Sequence, residues 1–279
     1  MEVRQGRLQT AVGWGTALTL MGLLTWPVGR WLVGQWLSNE YYSHGVLVLL
    51  ISAYFFWRVL RLGRTASAPA DAAVVLLVAG AGVYVVGEAL IARYLSALGL
   101  ILLTGGLVGF LGSRETLRRL AFPLAYLAFA VPLPVVDSLA VRMGTLTAGW
   151  ATVLVRGLGV MAAHEGGRVS LPSCSLVVGA PCSGIRSLVA LLALAAVWAF
   201  VVRGPRPARI ALLAVAAPLA CVANLLRVTS LLWVADRWGL EAGQRYYHDF
   251  SGPVFFGLAL AGLLAVSWAL RCRDLRSDM

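Results

Sequence analysis

Apolar runs of about 17–22 residues, every second one followed by a short arginine cluster, recur from one end of this chain to the other. That pattern leaves the chain little choice of environment. A helix needs roughly 20 apolar residues to cross the hydrocarbon core of a bilayer, and a soluble core needs no such length. Eight runs qualify, at 11–30, 45–60, 72–91, 95–112, 119–136, 184–202, 208–233 and 253–270. Hydrophobic residues make up 60% of the 279 and charged residues only 13%, so the runs are not isolated features of a soluble protein. No polar stretch is long enough to bury a core of its own. The expectation is a single domain over 1–279: an all-α polytopic membrane protein with about eight transmembrane helices.

All 23 basic residues are arginine, and their distribution sets the orientation. Arg4 and Arg7 precede the first run, and Arg58, Arg61 and Arg64 follow the second. Arg114, Arg118 and Arg119 follow the fourth, Arg203, Arg206 and Arg209 the sixth, and Arg271, Arg273 and Arg276 the eighth. With eight spans, all of these fall on one face, which then carries a formal charge of +9 against +2 on the other. The positive-inside rule makes that face cytoplasmic, with both termini on it. The same clustering argues against a nucleic-acid groove, despite the overall charge of +11. Cys174, Cys182, Cys221 and Cys272 form no CxxC pair and no Cys/His ligand spacing, so no metal or cofactor is expected. The first run ends in Trp26-Pro27 and Trp31 without a small-residue cleavage site, and reads as a retained span.

The opposite, extracytoplasmic face receives Leu37–Gly45, the tight turn Ala92–Tyr94, the long stretch from Pro132 to Pro181, and Ala235–Pro253. Within the third of these, 137–158 reads as an amphipathic helix lying at the interface or dipping into the membrane. Residues 165–179 carry turn residues and short alternating stretches, which predict a small β-hairpin before the sixth span.

Immediately after the hairpin comes Gly179-Ala180-Pro181-Cys182-Ser183-Gly184-Ile185-Arg186-Ser187. Pro181 suits a helix start, which places Cys182 on or beside the first turn. Free N–H groups and the positive helix end lower a thiol's pKa there, and Arg186 lies one turn further on the same face. That is the setting of an activated nucleophile; it is equally the setting of a small apolar residue filling a packed membrane helix. Asn224 and Arg227, three apart, share a face of the seventh span, where an arginine marks a functional site or snorkels to the headgroups. His248 lies just before the eighth span. Cysteine, arginine and histidine from three separate spans have the chemistry of acyl transfer. The thiolate attacks a carbonyl, the histidine moves protons, and the arginine stabilises negative charge.

These motifs carry a resemblance. Glu165-Gly166-Gly167, then Pro181-Cys182-Ser183-Gly184-Ile185-Arg186-Ser187, then Asn224-Leu225-Leu226-Arg227-Val228, then His248 resembles the exosortase/archaeosortase family of membrane transpeptidases. Tyr42-Ser43-His44-Gly45 and Pro132-Leu133-Pro134 match that family's N-terminal half, so the resemblance covers nearly the whole chain. It implies Cys182 as nucleophile with Arg227 and His248 as partners. It also implies a membrane-embedded cysteine protease or transpeptidase of the cell (inner) membrane. Its partners would be exported proteins ending in a short motif, a transmembrane helix and an arginine-rich tail. These would be cut at the outer face and passed to water, a lipid or an amine. The chain stops after the eighth span, without the further C-terminal domain of some relatives, so no second activity is expected.

Other residues have supporting readings. His44 either helps bind substrate or is a solvated interfacial histidine. Arg186 pairs with Glu165 or an outer aspartate, or touches the thiolate; Glu165 holds the hairpin turn. Ser183, Gly184 and Ser187 allow close helix approach, or the N–H groups of Ser183 and Gly184 line an oxyanion hole. Cys174 could bridge to Cys182 and would then silence it. A transporter or permease, with Arg227 and His248 lining a substrate path, and a non-catalytic cell-surface assembly factor are the alternative classes. The lack of an inverted repeat weighs against the first.

Overall fold

The computed structural model describes residues 2–61, 71–178, 182–272 and 274–275; the side chains of 2–14, 17, 18, 21, 24, 248 and 249 lie outside that description. Nine α-helices and one small antiparallel sheet occur among the described residues, distributed over two compact units, Met1–Pro132 and Leu133–Met279.

The first unit holds α1 (Glu2–Ser38), α2 (Gly45–Arg61), α3 (Asp71–Ala89), α4 (Arg93–Leu111) and α5 (Arg114–Tyr126). Its tightest packing is α3 against α4, and small residues cause it. A Cβ on Gly80 would lie 2.6 Å from the Leu103 nitrogen, on Gly99 2.6 Å from that of Tyr84, and on Gly106 2.7 Å from that of Leu77. Backbones that approach this closely gain contacts that lipid cannot replace. The link from α1 to α2 is set by Asn39, whose side chain accepts from the Tyr41 N–H at 3.0 Å and starts a 3₁₀ turn over Glu40–Tyr42. Trp36 Nε1 donates to the Ala130 carbonyl at 2.8 Å, tying the end of α1 to the end of this unit.

Six segments are long and apolar enough to cross a membrane: Glu40–Arg61, Asp71–Ala89, Arg93–Leu111, Pro134–Gly157, Arg206–Tyr246 and Gly252–Ala269. Ile185–Val201 is equally apolar but shorter. The chain is therefore a multi-pass membrane protein, and its helices carry large exposed residues such as Leu50, Val75, Ile210 and Leu258. In the middle of the chain the helices are bounded differently from the sequence expectation. The run 119–136 is not one helix: α5 ends at Tyr126, a 3₁₀ turn follows over Leu127–Ala130, and Val131 is extended. Pro132 and Pro134 disfavour helical backbone in the residues before them, which stops the run. The amphipathic helix expected over 137–158, at the interface or dipping into the membrane, is α6, Pro134–Gly157, which meets the length and hydropathy of a span.

The second unit is organised around α8 (Arg206–Tyr246). On one side its Val228, Leu232 and Ala235 pack with Ala148, Ala151 and Val155 of α6 and with Val169, Leu171 and Val178 around the sheet. Elsewhere its Leu212, Ala216 and Ala220 pack with Leu191 and Ala195 of α7 (Ile185–Val201) and with Ala259 and Leu263 of α9 (Gly252–Ala269). The hairpin expected over 165–179 is a three-stranded antiparallel sheet, β1 (Ala163–Glu165), β2 (Arg168–Ser170) and β3 (Ser175–Val177). Gly166, at φ +56°, makes the first turn.

The run 208–233 continues past its expected end. Helical backbone persists until Gly239, whose φ of 86° and ψ of 170° break the helix. The chain then doubles back. Gly243 meets Ala235, the Tyr246 hydroxyl donates to Ser230 Oγ at 3.1 Å, and Ser251 reaches Arg227. These three contacts lie at nearly equal sequence separations on either side of Gly239, as in a helical hairpin. A five-residue π-helical turn, Tyr247–Ser251, joins this return limb to α9.

Candidate active site

Three pieces of the second unit form the site: the turn before α7, the middle of α8, and the π-helical turn. Cys182 lies in the first of these, just before the helix; Pro181, read from sequence as the helix start, lies outside the described residues. The residue that starts α7 is Gly184, at φ 76°. Left-handed backbone there is open to glycine at little cost, and a Cβ would also overlap the Asn224 side chain. Ser183, completely buried, accepts from the Ile185 N–H at 3.3 Å, and Ser187 Oγ donates to the Gly184 carbonyl at 3.0 Å. Small polar residues thus satisfy the first turn and allow α8 to press against it.

Asn224 is the point of that contact. It is 4% exposed, and its Nδ2 donates to the Cys182 carbonyl at 3.0 Å, fixing the peptide that carries the thiol. Its Oδ1 is buried without a hydrogen-bond partner among the described residues. One turn on, Arg227 extends from α8 to the π-helical turn. Its Nε donates to Ser251 Oγ at 3.1 Å, and its guanidinium carbon lies 4.2 Å from the centre of the Tyr247 ring. Ser251, fully buried, donates in turn to the Tyr247 carbonyl at 2.9 Å.

The Tyr247 hydroxyl donates to the Cys182 thiol. Burial pushes the thiol's pKa up; that hydrogen bond and the positive charge of Arg227 pull it part of the way back. The sequence expectation was a thiol lowered by its helix N-terminus; here the shift runs upward, because burial is the largest influence on it. The Tyr247 hydroxyl is itself pushed well above its ordinary value, chiefly by burial, so it stays a proton-bearing donor.

The other residues singled out from sequence have these positions. Arg186 is exposed on the first turn of α7, and its charge acts on Tyr247. Glu165 is exposed in β1 opposite Arg168 in the strand register. His248 belongs by backbone to the π-helical turn, next to Tyr247, but its side chain lies outside the described residues. His44 belongs to the first unit, where its Nε2 lies 3.1 Å from the Phe129 carbonyl. A carbonyl can only accept, so Nε2 carries a proton. Nδ1 is buried with no partner among the described residues, and the ring stacks on Tyr42. Cys174 is a free thiol packed against the core under the sheet, and Cys182 is also free. Among the described residues no group of His, Cys, Asp or Glu is arranged to hold a metal ion.

Sequence reasoning missed Tyr247 and Ser251. Both lie in a segment it had noted, but a π-helical turn follows neither the 3.6-residue nor the two-residue period, so no pattern distinguished Tyr247 from Tyr246.

The transmembrane exosortase family model matches residues 36–265, which include segments of both units. No curated protein and no solved structure matches the chain.

Proposed function

Since the chain belongs to the transmembrane exosortase family, we propose that it is a membrane-embedded cysteine protease or transpeptidase. Its substrates would be exported proteins whose C-termini carry a short motif, an apolar helix and an arginine-rich tail. The observation that carries this reading is the Cys182 thiol held under the Tyr247 hydroxyl and the Arg227 charge.

On this reading a base takes the Cys182 proton and the thiolate attacks the scissile carbonyl. His248, one residue beyond Tyr247, is the candidate base. The carbon–nitrogen bond breaks, the leaving amine takes the proton from the base, and the new C-terminus remains as a thioester. Water, or an amine or lipid acceptor, then attacks the thioester while the base accepts its proton, and the thiol returns. Arg227 offsets the negative charge on sulfur and then on the tetrahedral oxygen. Asn224 holds the Cys182 peptide, while Gly184 and Ser183 shape the turn. His44, with its bare Nδ1, and the exposed Arg186 and Glu165 are proposed as supporting or substrate-binding groups. The arginine clusters support about eight spans in a cell (inner) membrane, both termini cytoplasmic, and Cys182 on the extracytoplasmic side.

The test is co-expression with an exported protein bearing such a tail. Wild type is expected to convert the precursor, while Cys182→Ala and Cys182→Ser insert normally and leave it uncut. Hydroxylamine added to wild-type membranes should release the cut chain as a hydroxamate. Full conversion by Cys182→Ala would remove the nucleophile and this reading with it.

A further inference from the structure

We propose that Tyr247 is a functional residue of this site in its own right: its hydroxyl stabilises the Cys182 thiolate, and its ring holds the Arg227 guanidinium in place. The inference rests on Cys182 being the nucleophile.

An arginine within a membrane chain needs partners, and their kind decides what its charge can do. Among the described side chains, those of Arg227 are a hydroxyl, Ser251 Oγ at 3.1 Å, and an aromatic face, Tyr247 at 4.2 Å. Both are uncharged. A carboxylate would hold the guanidinium more strongly but would cancel its charge. A hydroxyl and a ring face hold it and leave the charge free to act on a neighbouring anion. Tyr247 supplies the ring, and its own carbonyl accepts from the Ser251 hydroxyl that receives Arg227, so both supports are fixed to one backbone turn.

A phenylalanine would serve the ring function equally well. The hydroxyl has another task, because it donates to the Cys182 sulfur. Once the thiol proton leaves, a half-buried sulfur anion needs a donor, and one that does not lose its own proton. Tyr247 meets that condition, since burial keeps its hydroxyl protonated. Among the described side chains, the charged and titratable groups acting on this pair are Arg227 from α8, which acts on both, and Arg186 from α7, which acts on Tyr247. A π-helical turn, wider than an α-turn by one residue, sets the tyrosine there; such turns are frequent at functional sites.

Alkylation of Cys182 by iodoacetamide, followed by peptide mass spectrometry across a pH series on the intact membrane protein, reads the pair without any substrate. Tyr247→Phe should raise the midpoint by about one pH unit and slow alkylation about tenfold at neutral pH. Precursor cleavage should show the same change in kcat with KM little altered. Tyr247→Leu should lose more, since the ring platform goes as well. Tyr246→Phe, whose hydroxyl serves Ser230, should leave the alkylation profile where it was. An unchanged midpoint in Tyr247→Phe, or an equal shift in Tyr246→Phe, would overturn the proposal. Should Tyr247→Phe fail to fold, 3-fluorotyrosine at 247, a stronger donor, should move the midpoint down, and no movement would overturn it as well. Normal cleavage by Cys182→Ser would sink the transpeptidase reading instead, and the alkylation profile would still report the tyrosine–thiol pair.

Discussion

Arg227 and Ser251 are 24 residues apart, yet the Nε of one donates to the Oγ of the other at 3.1 Å. The chain returns to this point because it reverses at Gly239, and the return sets Tyr247 against both the guanidinium and the Cys182 thiol. Each feature of that arrangement has a measurable consequence.

Replacing Arg227 with lysine keeps a positive charge and discards the planar group that lies over Tyr247 and donates through Nε to Ser251. An ammonium makes neither contact in the same geometry. Arg227→Lys is expected to cut precursor at a rate reduced at least about tenfold, with the protein still inserted. The rate is read from pulse-chase conversion of the precursor.

Gly184→Ala should fail for two separable reasons. The φ of 76° costs an alanine roughly 1–2 kcal/mol, and the new methyl meets the Asn224 amide. Cutting Asn224 back to alanine in the same chain removes the overlap with its amide group, leaves its Cβ at 2.7 Å, and does nothing for the first problem. Thermal unfolding in detergent should therefore place the double variant above the value expected from adding the two single losses.

Gly239→Ala tests the reversal. A φ of 86° with ψ of 170° is open almost only to glycine, and forcing another residue into it costs about 1–3 kcal/mol. A continuing helix would relieve that strain and carry Ser251 and Tyr247 away from Arg227. The expected result is a stable, inserted protein with little cleavage and a Cys182 alkylation rate below wild type at every pH.

The pH dependence of Cys182 itself has a fixed sign. Burial favours the neutral thiol, so the thiolate fraction in the native protein should rise later, as pH increases, than in the unfolded chain, where the midpoint is about 8.5. Alkylation of native protein and of protein unfolded in sodium dodecyl sulfate, compared across the alkaline range, should show the unfolded midpoint lower. A native midpoint below the unfolded one would mean that Arg227 and the helix end outweigh burial.

Much of this molecule was legible in the sequence because the bilayer permits few solutions. Apolar runs and arginine clusters marked the helices, and the glycine pair Gly166-Gly167 marked the hairpin turn. Cys182, Asn224 and Arg227 stood out because polar groups at those positions are costly without a purpose, and the structure brings all three together. What could not be read has local causes. Pro132 and Pro134 disrupt a run that composition alone presents as continuous, so α5 ends at Tyr126 and α6 begins at Pro134. Gly239 is one glycine among 30 in the chain, and nothing in its neighbours distinguishes a reversal from a helix that continues. The depth at which Cys182 is packed depends on contacts with α8 and the π-helical turn, and no helix-end rule contains them.

The reversal at Gly239 also bears on the order in which the site is built. Asn224, Arg227, Tyr247 and Ser251 all belong to one short, contiguous stretch, so bringing the last three together closes only a small loop at modest entropic cost. That half can form as soon as the stretch is in the bilayer. The thiol belongs to a more distant segment, 42 residues from its Asn224 anchor, and joins the site through a longer loop.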